Sequence, residues 1–177
     1  DSTQENYCIG VIDHMDIQIL SAQEWLNATY GTRSGWVPLL EDGVTGWSTI
    51  YGIRRGLQTE LGISPTSEAF GPSTTARFIS RIGAINASTT DANILRLLSA
   101  GLWTKGYRGI YGGAPVTFGE LADGVADARR DLGLGEGTPY VGVKLMASLL
   151  SMDAYRIPFG GRGRPEIREV QQWLNAT

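Results

Sequence analysis

At 177 residues, with 42% hydrophobic and 19% charged residues, the chain has apolar content enough for one or two small cores. A formal charge of −3 and a pI near 5.2 leave no basic face for nucleic acid. No apolar run approaches the ~18 residues a membrane-crossing helix requires, so no membrane insertion is expected.

Residues 1–17 carry no helical period and read as an N-terminal arm. The arm holds Cys8, which has no partner cysteine in the chain, and His14, the one histidine. A first helix is predicted from about Ile17 to Tyr30, with Ile19, Ala22, Leu26 and Tyr30 on one face. A polar, glycine-rich loop follows from Gly31 to Gly46, containing Trp36 and Glu41-Asp42-Gly43. The next helix spans about Trp47 to Leu61 and stops at Gly62, which suits the left-handed position after a helix end. Pro72, just after Gly71, occupies the tolerated first turn of a third helix carrying Phe78 and Ile79. The small polar stretch 83–90 reads as a linker.

The second half repeats that order. Asp91 caps a helix burying Ile94, Leu97, Leu98 and Leu102 and ending near Gly106. Thr117 and Glu120 have capping-box spacing, opening a helix with Leu121, Val125, Ala128 and Leu132 inward and Gly133 as its stop. Thr138-Pro139 is predicted to open the last helix, with Val141, Leu145, Met146 and Leu149 inside. Residues 160–165 break the chain before a final apolar segment.

That final segment copies the first helix. Residues 167–177 match residues 19–29 at seven of eleven positions, including Gln171, Trp173, Leu174 and Asn175 in place of Gln23, Trp25, Leu26 and Asn27. A fainter copy places Leu95, Ser99 and Leu102 where Ile19, Gln23 and Leu26 stand, giving steps of 76 and 72 residues. A period of that size is a small domain rather than a solenoid repeat. The expected fold is all-α, as two tandem three-helix bundles plus the first helix of a third. The units are placed at 18–83 and 91–153, and the extra helix at 165–177. Each unit is near the size where burial barely offsets chain entropy, so the two are expected to pack together.

Within 19–79 an ordered series of motifs stands out: Gln23-x-x-Leu26, Tyr30-Gly31, Asp42-Gly43-x-x-Gly46-x-x-Thr49, Leu57-Gln58, Leu61-Gly62-Ile63 and Phe70-Gly71-Pro72-x-Thr74. The series resembles the peptidoglycan-binding-like domain of bacterial cell-wall proteins. The tandem units are similar to those of secreted actinobacterial proteins that also carry a glycoside-hydrolase-like barrel. Thr49 to Gln58 is one residue longer than the family spacing, and the loop before Asp42 is long. In the second half Arg108-Gly109-Ile110-Tyr111-Gly112 replaces the Asp-Gly-x-x-Gly motif, and no glutamine follows Val125 at the family distance. The resemblance implies a non-catalytic module, secreted and wall-associated, that binds peptidoglycan or another wall glycan and tethers further domains of its parent chain. An N-terminal Asp1 without methionine and a Gly-, Ser- and Thr-rich composition fit export.

Turn chemistry alone calls for an Asp-Gly pair, a second glycine and an early-helix threonine, so Asp42, Gly43, Gly46 and Thr49 also have a purely structural reading. Trp25 and Trp173 share a repeat position, which favours packing at unit junctions. Trp36 and Trp47 flank the distinctive loop, and with Tyr30 and Asp42 they are the candidate ligand contacts. A protein-interaction, inhibitor or pro-segment role is the alternative. An enzyme reading is weaker: one histidine does not make a zinc site or a Ser-His-Asp triad, no G-x-S-x-G elbow occurs, and the carboxylates Glu41, Asp42, Glu60 and Glu68 would have to serve as a glycosidase pair. No catalytic residue, metal ligand or cofactor is therefore assigned. Arg156, Arg162, Arg164 and Arg168 form a local basic run, and Asn27, Asn86 and Asn175 match the glycosylation pattern.

Overall fold

The computed structural model describes residues 15–109 and 116–151. Cys8, His14, Tyr111, the Arg156–Arg168 run and the repeated 165–177 segment lie outside the described residues. The described residues hold six helices and no strand: α1 (Ile17–Tyr30), α2 (Trp47–Glu60), α3 (Pro72–Arg81), α4 (Ala92–Thr104), α5 (Phe118–Asp131) and α6 (Val143–Leu149). The protein is all-α, and most predicted boundaries fall within a residue or two of these.

The starts and stops follow local chemistry. Asp16 caps α1 by accepting from the N–H groups of Gln18 and Ile19, and Asp91 caps α4 through Asn93 and Ile94. Thr117 and Glu120 form the predicted capping box on α5. The Thr117 backbone N–H, then its hydroxyl, hold the Glu120 carboxyl below the ordinary glutamate range. Gly62 and Gly133 follow α2 and α5 at φ 71° and 66°, the left-handed conformation that glycine adopts without a Cβ clash.

α4 is the centre of the molecule. It packs against α1, α2, α5 and α6, while α3 reaches α6. Its sequence explains this: Ile94, Leu95, Leu97, Leu98, Ala100 and Leu102 are buried over most of the helix surface, leaving only a narrow, half-exposed strip at Asn93, Arg96 and Trp103. Gly56 lets α2 come close, because a Cβ there would stand 2.9 Å from both Leu97 Cδ2 and Tyr30 Cε2. One continuous apolar cluster runs from Leu26 to Leu150. Each fully buried Leu or Ile in it stabilises the fold by ~1.5–3 kcal/mol. The two halves of the chain therefore share a core.

Two expectations need correction. The 83–90 stretch is not a free linker: Ile85 is buried, and its N–H and C=O pair with those of Val141 at 2.9 and 2.8 Å. The same pairing overrides Thr138-Pro139 as a helix start. With Val141 held extended in that bridge, α6 cannot begin until after Gly142.

Candidate functional site

The 31–46 loop has no regular secondary structure, so its backbone polar groups need partners from elsewhere. Two amides one turn apart on α1 supply them. Gln23, only 2% exposed, accepts at Oε1 from the N–H groups of Asp42 (3.0 Å) and Gly43 (2.8 Å). Its Nε2 donates to Asp42 Oδ1 (3.0 Å), the Val44 carbonyl (3.2 Å) and Thr49 Oγ1 (3.0 Å). The Thr49 hydroxyl in turn donates to the Val44 carbonyl at 3.2 Å. Asn27 repeats the device: Oδ1 accepts from the Leu39 N–H and the Trp36 indole, and Nδ2 donates to the Leu39 carbonyl and Glu41. With its amide so engaged, Asn27 has no free nitrogen to carry a glycan.

Asp42 is the hinge of this clamp. Its Oδ1 accepts from Gln23 and from the Val44 N–H at 2.9 Å, an Asx turn. The Val44 N–H, and next the Gln23 amide, hold its carboxyl below the ordinary aspartate value. Gly43 sits at φ 68° and is pressed onto the start of α1, where a Cβ would lie 2.9 Å from the Asp16 carbonyl oxygen. The Gly43 carbonyl accepts from the Asp16 N–H, and the Asp16 carboxylate accepts from the Trp103 indole of α4. The loop is thus fastened to the core of both halves.

The four candidate contacts fare differently. Tyr30 is 1% exposed, and its hydroxyl donates to Glu60 at 2.8 Å. Burial, and next the Glu60 carboxylate, push its pKa far above the tyrosine range. It supports the loop from beneath and does not reach a ligand at the surface. Trp36 is half-buried, its ring 5.7 Å from that of Tyr30. Asp42 is half-buried and holds the turn. Trp47 is 53% exposed and stacks at 5.4 Å on Tyr51, so it alone of the four presents its ring freely to solvent. In the loop before it Leu40 and Val44 are 72% and 50% exposed. On its outer side the loop exposes Leu40 and Val44 together with polar residues such as Thr32, Ser34 and Glu41, while its inner side is pinned by amides.

Trp25 is partly buried against the core. Its ring lies edge-on to Tyr30 at 5.7 Å, and the Arg96 guanidinium of α4 sits 4.9 Å above it, at the junction of the halves. A second clamp mirrors the first at the far end of α2. Gln58 donates to the Ala69 carbonyl and Thr74 hydroxyl and accepts from the Ser67 N–H, fixing the approach to α3.

The second half of the chain carries comparable ties. Arg129 stands four residues before Gly133, as Gln58 stands before Gly62, and donates to the carbonyls of Leu134 and Tyr140. Tyr107 donates to Asp131 as Tyr30 does to Glu60. No glutamine stands after Val125 at the family distance, and it is Arg129 that ties down the stretch following α5. Among the described residues no group of three or more His, Cys, Asp or Glu side chains could hold a metal ion. None of the helices described is long and apolar enough to cross a membrane.

The chain is 40% identical over 163 residues to the uncharacterized protein FadG of Bacillus subtilis (strain 168), covering 91% of this chain and 27% of that protein. It is 38% identical over 162 residues to the uncharacterized protein YbfG of the same strain, covering 91% of this chain and 21% of that protein. The chain thus spans about a quarter of the length of one curated relative and a fifth of the other. No family model matches it, and no solved structure matches it.

Proposed function

We propose that this chain is a non-catalytic wall-binding module, two tandem three-helix units that hold peptidoglycan or a related wall glycan and tether a longer secreted protein. The observation that carries the reading is the loop built on α1. A buried Gln23–Asp42–Thr49 clamp fixes its inner side, and Leu40, Val44 and Trp47 stand exposed on its outer side. A rigid, half-apolar surface with an open indole suits the apolar face of a sugar ring, while nearby amides and hydroxyls suit its polar rim. The duplication rests on paired devices: Asp16 and Asp91 as caps, Tyr30–Glu60 and Tyr107–Asp131 as closures, and Gln58 and Arg129 as ties. A module role also fits a segment that matches only about a quarter or less of each longer relative. Two linked weak sites would gain avidity without new contacts.

Cosedimentation with purified sacculi tests the reading. Wild-type protein is expected in the pellet and Trp47→Ala in the supernatant; wild-type protein left wholly in the supernatant refutes it. Steady dye release from labelled wall by the chain alone would instead establish catalysis. The exposed strip would equally suit a protein partner, and binding to the rest of its parent chain with no binding to sacculi would establish that role.

A further inference from the structure

Nine arginines lie among the described residues, and six are engaged within the fold. Arg54 and Arg129 donate to backbone carbonyls, Arg55, Arg108 and Arg130 pair with carboxylates, and Arg96 covers the Trp25 ring. The remaining three, Arg33, Arg77 and Arg81, make no side-chain hydrogen bond or ion pair with any described residue. All three border the same hollow. Two adjoining pockets of about 590 and 360 Å3 share Gly62, Ile63 and Ser64; Arg77 lines the larger and Arg33 the smaller. The Arg81 guanidinium lies over Gly62, 3.0 Å from where a Cβ on that residue would stand.

Local structure explains the convergence. Ser73, Arg77 and Arg81 recur at intervals of four along α3 and so share one face. Arg33 comes from the turn after α1, where its N–H bonds the Tyr30 carbonyl. The rest of the wall is rich in hydroxyls, including Ser34, Ser64 and Ser80, and no carboxylate lines either pocket. Thr66 belongs to that wall, and its hydroxyl is buried without a partner among the described residues. None of the three is ion-paired with a described carboxylate, so an anion entering the hollow would be attracted to all of them.

We propose that this hollow binds an oxyanion carried on a polyol or glycan chain. The guanidinium forks take the phosphodiester or carboxylate, and the serine and threonine hydroxyls meet the neighbouring hydroxyls of the polymer. Trp47 opens α2 and Gly62 follows its end, so at 1.5 Å per residue the hollow stands about 20 Å from the loop crest. It is therefore a second, separate contact point.

Two soluble probes test it with the whole 177-residue chain: an oligo(glycerol phosphate) and an oligogalacturonate. Neither contains peptidoglycan, so the outcome is independent of sacculus binding. In titrations followed by amide chemical shifts at low salt, Gly62, Ile63 and Ser64 are expected to move with one probe or both. Whichever binds identifies phosphodiester or carboxylate as the anion. Arg77→Gln with Arg81→Gln should weaken binding by about tenfold, as should raising NaCl from about 50 to about 500 mM. Trp47→Ala should leave it unchanged. These arginines have no hydrogen-bond or ion-pair partner among the described residues, so the variants should melt like wild type. The proposal is overturned if neither probe moves those amides, if the shifts fall elsewhere, or if the double variant binds as tightly as wild type.

Discussion

Replacing Gln23 with alanine should undo the 31–46 loop. Five hydrogen bonds are lost at once, to Asp42 (two), Gly43, Val44 and Thr49. At ~1 kcal/mol net each, the upper figure is about 5 kcal/mol. The groups of Asp42 and Val44 lie near solvent and can rehydrate, which offsets part of that. The Gly43 N–H and Thr49 hydroxyl are buried and cannot, so the expected loss is about 3–4 kcal/mol. For a chain of this size that lowers Tm by about 10 °C. Thermal unfolding by circular dichroism measures the total, and amide exchange at Gly43 and Val44 localises it. Gln23→Glu separates the two halves of the amide: it keeps an acceptor for the loop N–H groups but loses the donors and sets a carboxylate against Asp42. Its destabilisation should therefore ease in mild acid, where the new carboxyl is protonated. A Gln23→Ala loss under about 1 kcal/mol, with the Gly43 amide still protected, would refute the clamp as the loop's support.

Gln58→Leu removes three bonds that fix the approach to α3 and should cost about 2–3 kcal/mol by urea denaturation, with exchange rising first at the Ser67 amide. Asp42→Asn tests the acid limb. The folded pKa of Asp42 is lowered from 3.8, so its carboxylate adds stability above that value and loses it as pH falls through the folded value. The stability gap between wild type and Asp42→Asn should accordingly close below about pH 4 in an acid titration followed by fluorescence. Trp47→Ala, at an exposed position, should change stability by less than about 1 kcal/mol yet reduce sacculus pelleting several-fold. A large fall in Tm for Trp47→Ala would instead make that indole a structural residue.

The helices are legible in the sequence alone, because their signals are local. Asp16, Asp91 and Thr117 cap, Gly62 and Gly133 stop, and apolar residues recur at helical spacing between them. The extended stretch around Val141 was not legible: its bridge partner Ile85 is distant in sequence, and no local propensity encodes a pairing partner. The candidate site divides along the same line. Residue types named the Asp42–Thr49 loop as special, but whether Tyr30, Trp36 or Trp47 faces water depends on which side of α1 and α2 the core claims. The three-arginine hollow has no motif at all, since Arg33 comes from the turn after α1 and Arg77 and Arg81 from one face of α3. Hydrogen bonds to the nearest backbone and the periodicity of buried faces are written along the chain. Convergence of side chains from different elements is set by packing, where burial free energy of distant residues outweighs any local preference.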